Sequence, residues 1–137
     1  MAEQEDRNTI IIREFRANGG QTERYAGAPL LLLTTTGAKS GERRTTPLIY
    51  LDDKGTCVVF ASIGGAPKNP GWYHNVVANP RVTVELPGDT YEAEAIVATG
   101  AQRDELYARQ SALRPNYAEY QAKTTRMIPV VILQRVK

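Results

Sequence analysis

Between Gly37 and Arg44 the chain gathers Lys39, Ser40, Gly41, Arg43 and Arg44 at the end of an apolar run that starts at Leu30. Two cation types, a hydroxyl and unhindered glycine backbone in one turn suit an anionic ligand, phosphate or carboxylate, held by charge-assisted hydrogen bonds. The same residues also fit a hairpin turn whose charges simply face water, so this turn alone does not decide. A triphosphate loop is disfavoured, because that motif places its lysine directly after the second glycine. Here Lys39 lies between Gly37 and Gly41.

A second stretch, ASIGGAPKNPGWYHNVVANP from Ala61 to Pro80, again joins a strand end to a glycine-rich loop, a lysine and a helix start. Free amides and the positive end of a helix dipole before Pro70, with Lys68 beside them, favour an anion there too. Trp72 and Tyr73 offer an aromatic wall, while the plainer reading makes Trp72 a core anchor and Gly64-Gly65 a turn. Tyr117 and Tyr120 share one helical face, where a phenol orders a carbonyl or nitro oxygen and lends a proton, or else packs as part of a lid. Ser62 stands between the two ligand-facing loops and suits an acceptor oxygen; an ordinary strand-end hydroxyl is the alternative. His74 has no acidic partner at a telling spacing and reads as structural, and Cys57 has no local cation to activate it. No cluster of histidine, cysteine and carboxylate points to a metal.

The elements that must position these groups follow from periodicity. Ile11, Ile12 and Phe15 lie at helical spacing in Thr9 to Asn18, and Gly19-Gly20 ends that amphipathic N-terminal segment. Leu30 to Thr36, Thr45 to Asp53 and Thr56 to Ser62 read as a three-strand meander. Asn69 caps and Pro70 starts a short helix that ends at Asn79-Pro80. Two strands follow, turning at Pro87-Gly88-Asp89. Thr99 with Gln102 resembles a capping box for a helix to Leu113, Pro115 starts a second short helix, and Ile128 to Val136 closes as a strand. About six short strands with peripheral helices favour a small barrel over a doubly wound sheet. At 137 residues, with 42% apolar content, the chain reads as one domain, 1–137, able to bury a core without staples. A net charge of +2 argues against a nucleic-acid binder. Glu3, Glu5 and Asp6 replace the basic segment of a secretion signal, and the single cysteine fits a reducing cytoplasm.

Taken together, Phe15 to Gly20, Gly27-Ala28-Pro29 leading into LLLLTTTGAKSGERRTTPL, ASIGGAPKNPGWYHN, and Tyr117-x-x-Tyr120 before Ile128-Pro129 resemble the deazaflavin-dependent nitroreductase and quinone reductase family, over nearly the whole chain. The resemblance implies a split β-barrel related to that of flavin-binding oxidases, and reduced coenzyme F-420 as hydride donor. It implies that Lys39, Ser40 and Arg44, within the turn at Gly41 and with Arg43 assisting, hold the phosphate and the start of the glutamate tail. Thr45, Thr46 and Pro47 then contact the cofactor through their backbone, and Ala61, Ser62, Ile63, Gly64 and Gly65, with Lys68 nearby, form the loop beside its ring. Pro70, Gly71 and Trp72 form the far wall. Ser62, Tyr117 and Tyr120 are the expected catalytic residues, facing a small electron-poor acceptor: a quinone, an enone such as an unsaturated lactone, or a nitroaromatic. A non-catalytic deazaflavin carrier and a flavin mononucleotide enzyme on the same barrel are the alternatives. The chain departs from the family pattern at Ile63, basic in many relatives, and at Ile49 and Arg114, tyrosines in members that activate nitroimidazoles. A cytoplasmic protein is expected, with no membrane insertion; peripheral contact of the N-terminal helix with the inner face of the membrane stays open, as does the oligomeric state.

Overall fold

Leu30, Leu31, Leu32 and Leu33 are all buried because successive residues of a strand face opposite sides and both sides of this strand are covered. Leu31 and Leu33 point into a barrel with Val59, Val82, Val84, Ala93, Val131 and Leu133, while Leu30 and Leu32 pack outward on Ile11 and Phe15. A computed structural model of the chain describes residues 7–136. Its elements are α1 (Arg7–Ala17), β1 (Leu30–Thr36), β2 (Arg43–Asp53), β3 (Thr56–Phe60), α2 (Gly71–Ala78), β4 (Arg81–Leu86), β5 (Asp89–Val97), α3 (Gly100–Leu113), α4 (Asn116–Ala122) and β6 (Val130–Arg135), with a single tight turn of helix at Ile63–Gly65. The six strands close into an antiparallel barrel in the order β1-β2-β3-β6-β5-β4, β1 pairing with β4 to complete the ring. The expected barrel and its meander are therefore present.

Among the described residues three apolar clusters divide the work. The barrel interior is plugged at one end by Trp72 and Val76 of α2. On the outside, α1 covers β1, and α3 with α4 cover Leu51, Val58, Phe60 and Val130 through Leu106, Tyr107 and Tyr117. The apolar stripe of α1 is thus spent on the barrel: Ile11 and Phe15 are buried, and only Ile10 of that group is exposed. The acidic residues Glu3, Glu5 and Asp6 lie outside the described residues. No helix among the described residues is long and apolar enough to cross a membrane.

Several boundaries differ from the sequence expectation, each for a local reason. β2 starts at Arg43 rather than Thr45, because Thr36 and Arg43 are already in register across the β1–β2 hairpin. β3 stops at Phe60, where the chain turns into the Ile63–Gly65 helical turn. β6 starts at Val130, since Pro129 has no N–H to donate; its carbonyl instead accepts from the Ala61 amide at 3.0 Å. Neither anticipated cap forms through a side chain. Pro70 occupies the N-cap of α2 and Thr99 that of α3 without a side-chain hydrogen bond, and the Asn69 carboxamide is engaged by Arg126.

Candidate active site

β2 is the organising element of the site. Its pairing with β3 covers only Tyr50 to Asp53, so from Arg43 to Ile49 it is laddered to β1 alone. Pro47 is tolerated in this half because an edge strand need not supply every amide. A cavity of about 1000 Å³ opens along that free half of β2. Arg44, Thr46, Pro47, Leu48 and Ile49 form one side, the loop residues Ser62, Ile63, Gly64, Pro70 and Gly71 with Trp72 and Asn75 of α2 a second, and Tyr117 and Tyr120 of α4 a third. Asn8, Arg24, Tyr25, Thr35, Phe60 and Asn116 complete the lining.

Strand alternation separates the two arginines. Thr35 lies across from Arg44 and Leu33 across from Thr46, which puts Arg44 and Thr46 on the barrel-interior face of β2, while Pro47 and Ile49 reach the same cavity from the outer face along the free strand edge. Arg43 sits on the other face, where its guanidinium donates to Thr36 Oγ1 at 3.1 Å and to Thr83 Oγ1 at 2.7 Å. It does not line the cavity, and neither do Lys39, Ser40, Gly41 or Thr45; Arg43 differs from Lys39 in that its guanidinium is already engaged by two threonine hydroxyls. The Thr45 hydroxyl likewise faces outward, 2.8 Å from Thr34 Oγ1.

The basic turn is ordered by its own amides. Gly37 N–H donates to Glu42 O at 2.7 Å, Gly41 N–H to Gly37 O at 3.0 Å, Ala38 N–H to Asn75 Oδ1 at 3.0 Å, and Glu42 N–H to Ser40 Oγ at 3.1 Å. Those four amides are therefore unavailable as an anion cradle, which corrects the expectation drawn from Gly37 and Gly41. Between them the turn presents exposed Lys39 and Ser40.

In the second loop the expected residues divide. Ser62, Ile63, Gly64, Pro70, Gly71 and Trp72 line the cavity. Ala61 does not; it is fully buried in the barrel core. Lys68 is exposed outside the cavity lining, and Gly65 turns toward α4. A Cβ on Gly65 would stand 2.7 Å from the Tyr120 carbonyl oxygen, and its φ of +86° is one that side chains rarely adopt. Gly65 is thus a close-packing glycine under the tyrosine helix. We expect Gly65→Ala to cost about 2 kcal/mol from backbone conformation and clash together. Chemical denaturation compared with Gly64→Ala, whose Cβ meets nothing within 4 Å, checks this; equal losses at the two positions would show that φ alone matters. Ile63 is a genuine conformational outlier, a β-branched residue at φ +41° with 51% of its surface exposed at the cavity. Trp72 is core anchor and cavity wall at once, 7% exposed.

The tyrosines are built into an aromatic cluster. Tyr117 meets Phe60, Tyr107 and Tyr120 edge-on, with ring centroids 5.7, 6.4 and 5.2 Å away. Tyr107 donates its O–H to the Tyr117 carbonyl at 2.6 Å, and Asn116 Nδ2 donates to Tyr120 Oη at 2.7 Å. Burial raises the Tyr117 phenol above its ordinary pKa and pushes Tyr107 up to about 12, so both stay protonated at neutral pH. His74 is exposed beside Tyr73, and burial raises the Cys57 thiol inside the barrel. Sequence reasoning missed Asn75, Arg24, Tyr25, Asn8 and Asn116. Asn75 closes the ASIGGAPKNPGWYHN stretch without standing out in it, and the other four lie outside the sequence motifs, brought to the cavity by topology.

A slot with an arginine at one side, an indole wall and phenols opposite suits a flat cofactor with an anionic tail, and the comparisons with known proteins agree. Residues 7–135 match the family model of F420H(2)-dependent quinone reductases. The chain belongs to that family. It is accordingly an enzyme, an oxidoreductase whose cofactor is reduced coenzyme F420. The F420H(2)-dependent quinone reductase of Mycobacterium tuberculosis is 43% identical over 125 residues, covering 86% of this chain and 82% of that protein. The solved structure of an F420-H2 dependent reductase superposes with a TM-score of 0.71 at 43% identity, over 77% of this chain and 94% of that one. HutZ, a heme storage protein of Vibrio cholerae, reaches a TM-score of 0.60 at 15% identity over 92% of this chain and 88% of its own, and shares the fold alone.

Proposed function

We propose that this reductase transfers hydride from reduced coenzyme F420 to a quinone held between the Ser62–Trp72 loop and α4. The observation that carries the reading is the single cavity in which Arg44, Trp72, Ser62 and Tyr117 meet. When bound, the deazaflavin supplies the hydride. In this reading Arg44, Lys39 and Ser40 hold the phosphate and the first glutamate, and Thr46 and Pro47 present the unladdered edge of β2 to the linker. Gly64, Pro70, Gly71 and Trp72 sandwich the ring, where missing or flat side chains leave room for a planar tricycle. Ser62 and Tyr117 bond the acceptor oxygen, and Tyr120, whose oxygen accepts from Asn116, is free to donate in turn. Enones and nitroaromatics present the same electron-poor centre with an adjacent oxygen, and we assign them to the same position as slower acceptors. Bicyclic nitroimidazoles fit least well, because Ile49 lines the cavity where the nitroimidazole-active members have a tyrosine hydroxyl. We place the protein in the cytoplasm.

The test is a side-by-side fluorescence titration with coenzyme F420, flavin mononucleotide and a nicotinamide cofactor, followed by turnover with a soluble quinone. Tight binding of flavin mononucleotide in preference to coenzyme F420 would favour the flavin enzyme, and tight deazaflavin binding without turnover would favour a carrier. Because Lys39 and Arg44 are the cations this reading gives to the tail, shortening that tail should matter. We expect deazaflavin without glutamates to bind on the order of tenfold more weakly than the glutamylated coenzyme, a difference worth about 1.4 kcal/mol, and to lose its salt dependence. Equal affinities for the two would remove the tail from the explanation of selectivity.

A further inference from the structure

Arg126 lies between α4 and β6, in a stretch that the cofactor motifs leave unused, yet its guanidinium spans the whole ring-side loop. Nε donates to Ala66 O at 2.8 Å, Nη1 to Asn69 Oδ1 at 2.6 Å and Nη2 to Ser62 O at 2.9 Å. All three acceptors are neutral, so the contacts do not constitute an ion pair; they form a fan that fixes the spacing of Ser62, Ala66 and Asn69. A planar fork with several fixed donors can do this and an ammonium cannot. Arg126 is in turn fastened to the tyrosine helix. Its carbonyl accepts from Gln121 Nε2 at 2.7 Å, and Gln121 Oε1 accepts from the Ile128 amide at 3.1 Å and from Arg103 Nη2 at 2.6 Å. Buried Arg103 of α3 closes the circuit by donating from Nε and Nη2 to Ile128 O at 3.1 and 2.8 Å. The Gly65 backbone abuts Tyr120 in the same region.

We infer that Arg126 is a positioning residue for hydride transfer: it clamps the Ser62–Asn69 loop and ties it to α4, so that the ring-side loop and the acceptor-side tyrosines keep one separation. This rests on the functional reading above. The loop most in need of a clamp is this one, since Ile63 and Gly64 both have positive φ and Ile63 holds that conformation against the preference of a β-branched side chain. The reacting centres must stay within a near-attack distance, and misplacement of about 1 Å can cost on the order of a hundredfold in rate. Affinity should suffer less than turnover, because the charged tail contacts at Arg44 and Lys39 lie in β2 and its hairpin, outside this network.

The experiment compares wild type with Arg126→Gln, Arg126→Lys, Asn69→Ala and the double variant Asn69→Ala with Arg126→Gln. Steady-state rates with reduced coenzyme F420 and a soluble quinone are normalised to the folded fraction, cofactor affinity is read by fluorescence, and amide hydrogen exchange is followed without cofactor. Expected results are a fall in kcat of about ten- to a hundredfold for Arg126→Gln with cofactor Kd changed by less than about threefold, and no rescue by Arg126→Lys. Asn69→Ala should lose a smaller factor alone and nothing further in the double variant, the signature of groups acting as a unit. Exchange should accelerate in residues 62–69 and in α4 while β1 and β4 stay protected. The inference is overturned by unchanged exchange in residues 62–69, by wild-type kcat per folded molecule in Arg126→Gln, or by fully additive effects of the two substitutions. Absence of quinone turnover in the wild type would instead defeat the functional reading, and the exchange data would still judge the clamp.

Discussion

Arg44→Ala is expected to weaken binding of reduced coenzyme F420 by about ten- to a hundredfold, the range in which a hydrogen bond to a charged group contributes, about 1.5–3 kcal/mol. Register is the reason to single out this residue. Arg44 lies opposite Thr35, which is 1% exposed, and so shares the barrel-interior face of β2 with Thr46 and Leu48, all three of which line the cavity. Arg43, one residue away, spends two donors on Thr36 and Thr83 across the opposite face. Arg43→Ala is therefore the internal control, carrying the same loss of formal charge with little loss of affinity. Lys39→Ala should fall between them and should lose most of its effect at high salt, as expected for an exposed ammonium on a solvent-facing turn. Fluorescence titration of the three variants at low and high ionic strength measures all of this. Equal, small effects at all three positions would reduce the turn to solvated surface; equal, large effects would mean that net charge, rather than the alternation of β2, governs recognition.

Much of this was legible in the sequence because strand alternation and turn chemistry are local. Leu30 to Thr36 read as a strand of a meander, and the glycines between strands at Gly41, Gly55 and Gly88 fell where φ is positive and the chain reverses. What sequence could not convey was direction. Lys39, Ser40, Gly41, Arg43 and Arg44 are adjacent in the chain, yet a period of two sends Arg43 to one face and Arg44 to the other. Gly37 and Gly41 read as an open amide cradle, but their N–H groups are consumed by Glu42 and Gly37 carbonyls. Gly64 and Gly65 look alike in sequence and differ in space, one at the cavity and one against Tyr120. Asn69 looked like a cap and is an Arg126 ligand. Such long-range partners, 57 residues apart in that case, leave no local trace.

The acceptor side yields the second large effect. Ser62→Ala and Tyr117→Phe should each lower kcat with a quinone by about tenfold or more while leaving cofactor Kd nearly unchanged, as expected for donors whose bond strengthens when the acceptor oxygen gains negative charge. The two side chains reach the same cavity from different elements, the loop after β3 and α4, so neither substitution removes the other's donor. Ser62 is 9% exposed and Tyr117 7%, and a donor in so dry a setting acts with little competition from water. The pH dependence has a definite sign. Burial raises the Tyr117 phenol above its usual value of 10.0, so the protonated, donating form persists across the neutral range and is lost only as pH climbs through that raised value. The wild-type rate attributable to Tyr117 should then be flat across the neutral range and fall only above the ordinary phenol value of 10.0, whereas Tyr117→Phe should show no such alkaline limb. Steady-state rates across pH on a quinone, an unsaturated lactone and a nitroimidazole test both the donors and the preference, with the quinone expected first and the nitroimidazole last. A preference for the nitroimidazole, or full activity in both variants, would make α4 a packing lid and move the acceptor to another wall of the cavity. An alkaline limb that survives in Tyr117→Phe would assign it to a different group, with Tyr120, whose oxygen already accepts from Asn116, next in line.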